Sequence, residues 1–380
     1  MRLILHIGSS KTGTTTVQQF FCRNHSALLA KGIFYPVRAS HTAHHVLIPA
    51  GFVQQKNFQL PHNRFYMNNT RRFWSSFHSF WGGVLDDLKE HKPHTVVLSA
   101  ETLFHDFSTI SEMPISQFLG QYFDDIRVVV YIRSPVPDYI SRISQQIRTA
   151  KSMMFPQVRP VKSIVEYYEN EFPGAVHVFP FERKQLINND VLCDFLTKNV
   201  PDAIKLMEED NSQFKNVALP SDLLLQLQKL RLGIQAEERV PSISTNALIT
   251  WFAENYIKKT QPKRDLSKKS IKLRKEIIEF LQISATDYKW LKKKYGVIFN
   301  DLDYSKIEQR DNPYQNYYRL EDICEPGTLM DNPIEKIKVP KNKLLRVMVT
   351  GLFILKTQLT GIYRAHVAFS FLGKIKRTIY

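Results

Sequence analysis

Apolar positions along the chain form two kinds of pattern. Short continuous runs rich in β-branched residues predict strands buried on both faces, whereas longer stretches with an apolar residue every three or four positions predict helices. The predicted strands cover residues 2–8, 32–36, 95–99, 126–132 and 175–179, and the predicted helices cover residues 14–30, 70–90, 135–149, 161–171 and 183–198. This alternation predicts an α/β fold, with a central parallel sheet flanked by helices and a mostly helical part after residue 200.

The first predicted strand leads into a loop of small residues that contains one lysine. Gly8 and Gly13 bound the loop, and Lys11 lies near its middle. Backbone N–H groups of such a loop and the N-terminus of the helix that follows point at one site, and the lysine adds a positive charge. The sequence therefore predicts a phosphate or sulfate site at residues Ser9, Ser10, Lys11, Thr12, Gly13, Thr14, Thr15 and Thr16.

The position of the lysine distinguishes between ligands. A nucleoside triphosphatase loop carries lysine directly after its second glycine, but here Thr14 follows Gly13 and Lys11 precedes it by two residues. The order Lys-Thr-Gly-Thr-Thr resembles the 5′-phosphosulfate loop of the sulfotransferases that use 3′-phosphoadenosine 5′-phosphosulfate (PAPS). The resemblance implies a P-loop sulfotransferase fold and PAPS as co-substrate, with no metal required. It also implies that Lys11 stabilises the bridging oxygen as the nucleotide leaves.

A second motif follows the strand predicted at residues 126–132. The strand ends at Arg133-Ser134-Pro135, and Ser141 comes eight residues after Arg133. This spacing resembles the 3′-phosphate motif of sulfotransferases, in which an arginine at a strand end and a serine on the next helix bind one phosphate. Ser134 stands where the family has Asn or Asp. The resemblance implies that Arg133 and Ser141 bind the 3′-phosphate of the nucleotide.

Two places could supply the base that deprotonates an acceptor hydroxyl. His41, His44 and His45 follow the second predicted strand, in the region where glycan sulfotransferases carry a catalytic Glu or His, and Glu101 follows the third. We take His44, His45 and Glu101 as candidate catalytic residues, with the histidines ahead. Alternatives stay open: a metal site at the histidines, which lack a fourth ligand of suitable spacing, ordinary loop positions, or a carboxylate at a helix start.

The chain is strongly basic, with a net charge of +16. Half of it lies in residues 331–380, where ten Lys and Arg face only Asp331 and Glu335. A further basic cluster spans residues 258–275. An anionic nucleotide, an acidic glycan or an anionic membrane surface would each explain this charge. Since no nucleic-acid-binding pattern is present, we expect no nucleic-acid partner.

The charge pattern also suggests a division of the chain. We predict one main sulfotransferase-like domain over residues 1–330 and a basic, apolar helical appendage over residues 331–380. The apolar segment within the appendage is too short and too charged to span a bilayer. Two interpretations stay open: a helix lying on an anionic membrane, or a helix docked on the main domain or a partner. The sequence does not indicate an oligomeric state.

Cysteine content and the chain start suggest a compartment. The three cysteines have no metal-type spacing, and their odd number argues against a disulfide framework. The first predicted strand begins at residue 2, which leaves no room for a signal peptide or for the amino-terminal anchor of Golgi sulfotransferases. We therefore expect a bacterial, cytoplasmic protein, either free or peripheral at the inner membrane.

Together the motifs predict a PAPS-dependent sulfotransferase that acts on a hydroxyl of a carbohydrate, such as a surface polysaccharide or glycolipid precursor. One alternative is a P-loop kinase or nucleotide hydrolase, which would need lysine after Gly13 and an acidic Mg²⁺ ligand at a strand end. Another is a catalytically silent scaffold that binds nucleotide or anionic glycan.

Overall fold

The computed structural model describes residues 1–37, 45, 48–53, 70–149, 153–209, 221–234 and 271–325. Contacts divide the chain into two units. The first comprises Met1–Asp138, Val158–Lys215 and Gln282–Gln309, and the second comprises Tyr139–Gln157, Asn216–Leu281 and Arg310–Tyr380. The predicted domain boundary at residue 330 and the basic appendage lie outside the described residues, so both stay predictions.

The first unit contains a five-stranded sheet in which every pairing is parallel. Its strands are Arg2–His6 (β1), Ile33–Phe34 (β2), Thr95–Ser99 (β3), Asp125–Ile132 (β4) and Val176–Pro180 (β5). They lie in the order β2-β3-β1-β4-β5. After β1 the chain builds one side of the sheet with β2 and β3 and then the other side with β4 and β5. The carboxyl end of β1 is therefore the point where the strand order reverses, which is where open parallel sheets bind ligands.

The predicted α/β class is confirmed by this sheet and the helices around it. The α-helices of the described residues are Thr14–Arg23 (α1), His25–Leu29 (α2), Thr70–His91 (α3), Ile115–Gly120 (α4), Pro135–Thr149 (α5), Val161–Glu171 (α6), Val191–Asn199 (α7), Ile204–Glu209 (α8), Ser221–Ile234 (α9), Lys275–Ile283 (α10), Thr286–Tyr295 (α11) and Leu320–Ile323 (α12). Within the part of the chain that the structure describes, no helix has the length and apolarity needed to cross a bilayer.

The strands β1 and β3 are buried on both faces, as their continuous apolar runs predict, whereas the edge strand β5 alternates between buried and half-buried residues. Leu3 and Leu5 of β1 pack into one hydrophobic cluster, and Ile4 packs into a second one on the opposite face. The aromatic stripe of α3 belongs to the first cluster, since Phe77 and Trp81 are buried there. That stripe is therefore core, as its spacing favours.

The predicted helix over residues 14–30 is wrong in one respect, because it is two helices. The amide of Asn24 donates from Nδ2 to the carbonyl oxygen of Phe20 at 3.0 Å, next to the end of α1. A short polar side chain that bonds nearby backbone competes with the helical hydrogen bonds, so α1 ends and α2 begins anew.

The predicted helix over residues 183–198 is also too long. Asn188 and Asn189 have φ angles of 54° and 55°, which a continuing right-handed helix does not allow. The helix starts only at Val191, where the carboxylate of Asp190 accepts a hydrogen bond from the Cys193 amide at 2.9 Å. Asp190 thus acts as an N-cap and sets the register of α7.

Helix α9 belongs to the second unit and is largely apolar. Leu223, Leu224 and Leu227 of this helix are buried, and the Gln228 side chain accepts a hydrogen bond from the Leu320 amide at 3.0 Å. An isolated bridge joins Leu273 to Cys324. This unit is helical, in agreement with the mostly helical pattern predicted after residue 200.

Candidate functional site

The loop between β1 and α1 has the left-handed backbone of an anion-binding loop. The φ angles of Gly8, Lys11 and Gly13 are 26°, 67° and 79°. Both glycines are also held by close packing. A Cβ atom on Gly8 would lie 2.3 Å from Cγ2 of Thr14, and one on Gly13 would lie 2.6 Å from Cγ1 of Val191. Turns of this kind direct successive N–H groups to one side.

The N–H groups of the loop are available to a ligand. Among the described residues, no backbone or side-chain atom accepts a hydrogen bond from the amides of Ser9, Ser10, Thr12 or Gly13. The loop is closed from within, because the Thr12 hydroxyl donates to the carbonyl oxygen of Ser9 at 2.6 Å. These donors stand at the N-terminus of α1, whose dipole favours negative charge. The arrangement can bind a phosphate or a sulfate.

The hydroxyl groups that follow the loop fall into two groups. The Thr14 side chain is buried and donates to the carboxylate of Glu101, which lies just past the end of β3. The half-buried hydroxyls of Thr15 and Thr16 make no hydrogen bond to any residue that the structure describes. Thr14 therefore links α1 to Glu101, while Thr15 and Thr16 remain free to bind a ligand.

Arg133 lies immediately after β4, the strand next to β1. Its guanidinium is half-buried over the Phe181 ring, 4.7 Å from the ring centre. Burial lowers the pKa of Arg133 below its usual value, while the nearby Asp138 raises it and Arg159 lowers it. Within the described residues, the guanidinium forms no hydrogen bond or ion pair. An arginine in this state has all five N–H donors to offer an anion.

The turn after Arg133 is held by the last part of the first unit. Tyr288 of α11 donates its hydroxyl to the carbonyl oxygen of Arg133 at 2.8 Å, and the hydroxyl of Ser134 donates to the carboxylate of Asp301. Ser134 is the position at which the sequence departs from the sulfotransferase motif. A carboxylate is present beside that position after all, supplied by a residue far along the chain.

Ser141 lies on α5, as predicted, but it belongs to the second unit, whereas Arg133 belongs to the first. The half-buried hydroxyl of Ser141 has no hydrogen-bond partner among the described residues. Its role in binding a 3′-phosphate stays a prediction.

Of the three candidate histidines, the structure describes only His45. His41 and His44 lie outside the described residues. His45 is buried, with Nδ1 accepting from the Ser99 amide and Nε2 donating to the carbonyl oxygen of Pro36, both at 2.9 Å. These two bonds fix one neutral tautomer and engage both ring nitrogens with the backbone. In this arrangement His45 cannot accept a proton from a substrate, so the contacts do not support its predicted role as a base.

Arg159 is a residue of the site that sequence analysis missed. It lies between α5 and α6, and its side chain is 12% exposed. Its guanidinium donates to the hydroxyls of Ser9 and Ser10 and pairs with Asp138. No local pattern marks this arginine, since its contacts arise only when the loop after β1 and the turn after β4 come together.

A buried polar layer beneath the loop was also missed. Nδ1 of His6 lies 2.9 Å from the hydroxyl of Ser99, to which Gln18 donates at 3.1 Å. Nε2 of His6 is buried and has no hydrogen-bond partner within the described residues. A Cβ atom on Gly8 would lie 3.2 Å from this nitrogen, so His6 supports the loop from below.

Burial of His6 makes stability depend on pH. Burial lowers the pKa of His6 from 6.5 to about 3, because the charged ring cannot be hydrated there. The unfolded chain takes up this proton more readily, so the contribution is fully present above pH 6.5 and is lost as the pH falls. At roughly 1.4 kcal/mol for each pH unit, the loss from pH 6.5 to pH 5 comes to about 2 kcal/mol.

We therefore expect the His6→Gln variant to lose about 2 kcal/mol less stability than the unaltered protein over that interval. Urea unfolding at both pH values measures the difference. His25→Gln, at an exposed histidine, is the matched control and should behave like the unaltered protein. Equal losses for His6→Gln and the unaltered protein would contradict the assigned protonation of His6.

Two solved structures are similar to this chain, and both are sulfotransferases. No family model matches the chain, and no curated protein sequence matches it. A sulfotransferase from Alicyclobacillus acidocaldarius is 13% identical, with a TM-score of 0.32 over 78% of this chain and 96% of that chain. A sulfotransferase domain from the curacin biosynthetic pathway is 12% identical, with a TM-score of 0.25 over 75% of this chain and 97% of that chain. At TM-scores this low, the likeness carries no argument about activity.

Proposed function

We propose that the protein is a sulfotransferase that moves the sulfuryl group of PAPS to a hydroxyl of a carbohydrate. One observation carries the proposal: adjacent strand ends, those of β1 and β4, present hydrogen-bond donors for two anionic groups. The first set is the amides of Ser9, Ser10, Thr12 and Gly13, in the loop that carries Lys11, and the second is the guanidinium of Arg133. A nucleotide with phosphate groups at two separate positions fits this pair of sites.

In the proposed reaction, the acceptor oxygen attacks sulfur in line with the leaving nucleotide. The new bond joins the acceptor oxygen to sulfur, and the bond from sulfur to the phosphate oxygen breaks. The acceptor proton passes to a base, and 3′,5′-bisphosphoadenosine leaves. Negative charge grows on the bridging oxygen during this step, so a fixed ammonium is most effective there. We assign that role to Lys11.

Among the candidate bases that the structure describes, Glu101 has the contacts that best suit the role. Its carboxylate accepts the Thr14 hydroxyl, and it stands at the end of β3, beside β1. As the acceptor of that bond, the carboxylate is held at the start of α1, next to the loop that carries Lys11. His44, outside the described residues, is the alternative.

The acceptor class rests on charge. The net charge of +16 suits an acidic glycan or its lipid-linked precursor as substrate. We propose that residues 331–380, with their ten cations, contact an anionic surface near that acceptor.

Among the described residues, no cluster of His, Cys, Asp or Glu is arranged to hold a metal ion.

The choice of nucleotide tests the proposal. We expect 3′,5′-bisphosphoadenosine to raise the melting temperature well above the effect of 5′-AMP or of ATP with Mg²⁺, because only the bisphosphate fills both sites. Losing hydrogen bonds from a charged group costs about 1.5–3 kcal/mol. Arg133→Ala should therefore weaken bisphosphate binding by roughly tenfold to a hundredfold, measured by titration calorimetry.

Arg127→Ala is the matched control for that experiment. Arg127 is also half-buried and lies in β4, but it bonds Asn199 at 2.9 Å instead of facing a ligand. It should leave bisphosphate binding unchanged. Equal or stronger stabilisation of the unaltered protein by ATP with Mg²⁺ would reject the PAPS proposal in favour of a kinase or nucleotide hydrolase.

A further inference from the structure

Arg159 joins the two halves of the candidate site. Its Nη1 atom donates to Oγ of Ser9 at 2.8 Å, and its Nη2 atom donates to Oγ of Ser10 at 2.9 Å. Nη2 also lies 3.1 Å from Oδ1 of Asp138, in the first turn of α5. One guanidinium thus holds the loop after β1 and the start of the helix after β4.

The surroundings of Arg159 make this connection rigid. The side chains of Arg159 and Asp138 are 12% and 3% exposed, and the guanidinium lies over the Phe104 ring, 5.4 Å from its centre. A planar fork with partners in fixed directions loses little further freedom when it forms its bonds. Because the ion pair is buried, dissolved salt weakens it much less than it would weaken a pair on the surface.

Arg159 and Asp138 also act on Arg133 through their charges. Asp138 raises the pKa of the Arg133 guanidinium and Arg159 lowers it, so the three charged groups lie near one another. Arg159 therefore connects the loop after β1 with the charged groups at the end of β4.

We propose that Arg159 is a positioning residue that holds the loop after β1 in register with Arg133, so that one ligand with two anionic groups can contact both. The identity of the ligand in this inference rests on the proposed function. The role of Arg159 in holding the loop does not. Arg159 acts through Ser9, Ser10 and Asp138. Because its two terminal nitrogens bond three partners at once, the shape of the guanidinium matters as well as its charge.

The first test measures nucleotide binding in the full chain by calorimetry. Arg159→Ala should weaken binding of 3′,5′-bisphosphoadenosine at least tenfold. Arg159→Lys should weaken it by a similar factor, because a lysine keeps the charge but cannot span the three oxygens. The control Arg127→Ala, which removes another half-buried arginine, should bind normally. Full recovery in Arg159→Lys would overturn the positioning role and leave only attraction by charge.

The second test needs no nucleotide. Hydrogen exchange in the ligand-free protein should become faster at the amides of Thr16 and Val17, which donate to the Gly13 carbonyl oxygen at the end of the loop, in both Arg159 variants. It should stay unchanged in Arg127→Ala. Faster exchange at these two amides, with no bisphosphate binding by the unaltered protein, would support the role of Arg159 and reject the proposed function. Unchanged exchange in the Arg159 variants, with bisphosphate binding intact, would overturn the role of Arg159 alone.

Discussion

We expect Lys11→Ala to lower the rate of sulfuryl transfer by about a thousandfold or more, while the protein stays folded. Loss of one preorganised donor at a developing negative charge costs on the order of 10²–10³ in turnover, and here the donor also carries a full charge. The side chain of Lys11 lies in a loop and is only half-buried, so it contributes little to the core. Transfer of labelled sulfate from PAPS to a panel of soluble glycosides measures the effect.

The backbone at Lys11 requires its own control, because its φ angle of 67° is in the left-handed region. Lys92 offers one, since it is exposed, has a φ angle of 46°, and precedes β3 outside the site. Lys92→Ala should transfer sulfate at the normal rate, with a change in stability similar to that of Lys11→Ala. If Lys11→Ala kept near-normal turnover, Lys11 would be an ordinary loop residue and the proposed reaction would lose its main electrostatic component.

The parts of the site that lie in continuous segments could be predicted from the sequence. The loop from Gly8 to Thr16 follows an apolar run and precedes a helix, so its position at a strand end follows from the order of the elements. The same holds for Arg133, which ends the run that forms β4. In both cases the chemistry and the backbone that presents it are encoded within about fifteen neighbouring residues.

The parts that depend on contacts across the chain could not be predicted. Arg159 and Asp301 reach the site from other segments, and nothing near either residue in sequence marks it as a partner of Ser9 or Ser134. Spacing cannot report burial either. His45 has the position expected of a base, but the Ser99 amide and the Pro36 carbonyl occupy both of its ring nitrogens.

Helix boundaries failed for a related reason. The apolar periodicity continues through residues 14–30 and 183–198, but short polar side chains within those stretches bond the backbone or adopt positive φ angles. Asn24 ends α1, and Asn188 delays the start of α7. Periodicity describes which face is buried, whereas local side-chain hydrogen bonds decide where a helix stops.

We expect the second large effect on turnover from substitution of the base. The base has three candidates, and substituting each in turn distinguishes between them. If Glu101 takes the acceptor proton, Glu101→Gln should lower turnover by roughly 10²–10⁴-fold. Glutamine keeps an oxygen for the Thr14 hydroxyl, so folding should be preserved. Glu182→Gln is the matched control, because Glu182 is a half-buried carboxylate after β5 that bonds Asn300. It should retain normal turnover.

Substitutions of the histidines then decide between a carboxylate and a histidine. If Glu101 is the base, His44→Gln should keep near-normal turnover, and His45→Gln should be less stable because the Ser99 amide and the Pro36 carbonyl lose their partner. A loss of at least a hundredfold in His44→Gln, together with normal turnover in Glu101→Gln, would transfer the role to His44. In that case Glu101 would serve only to orient Thr14, since the carboxylate would still accept its hydroxyl without taking part in proton transfer.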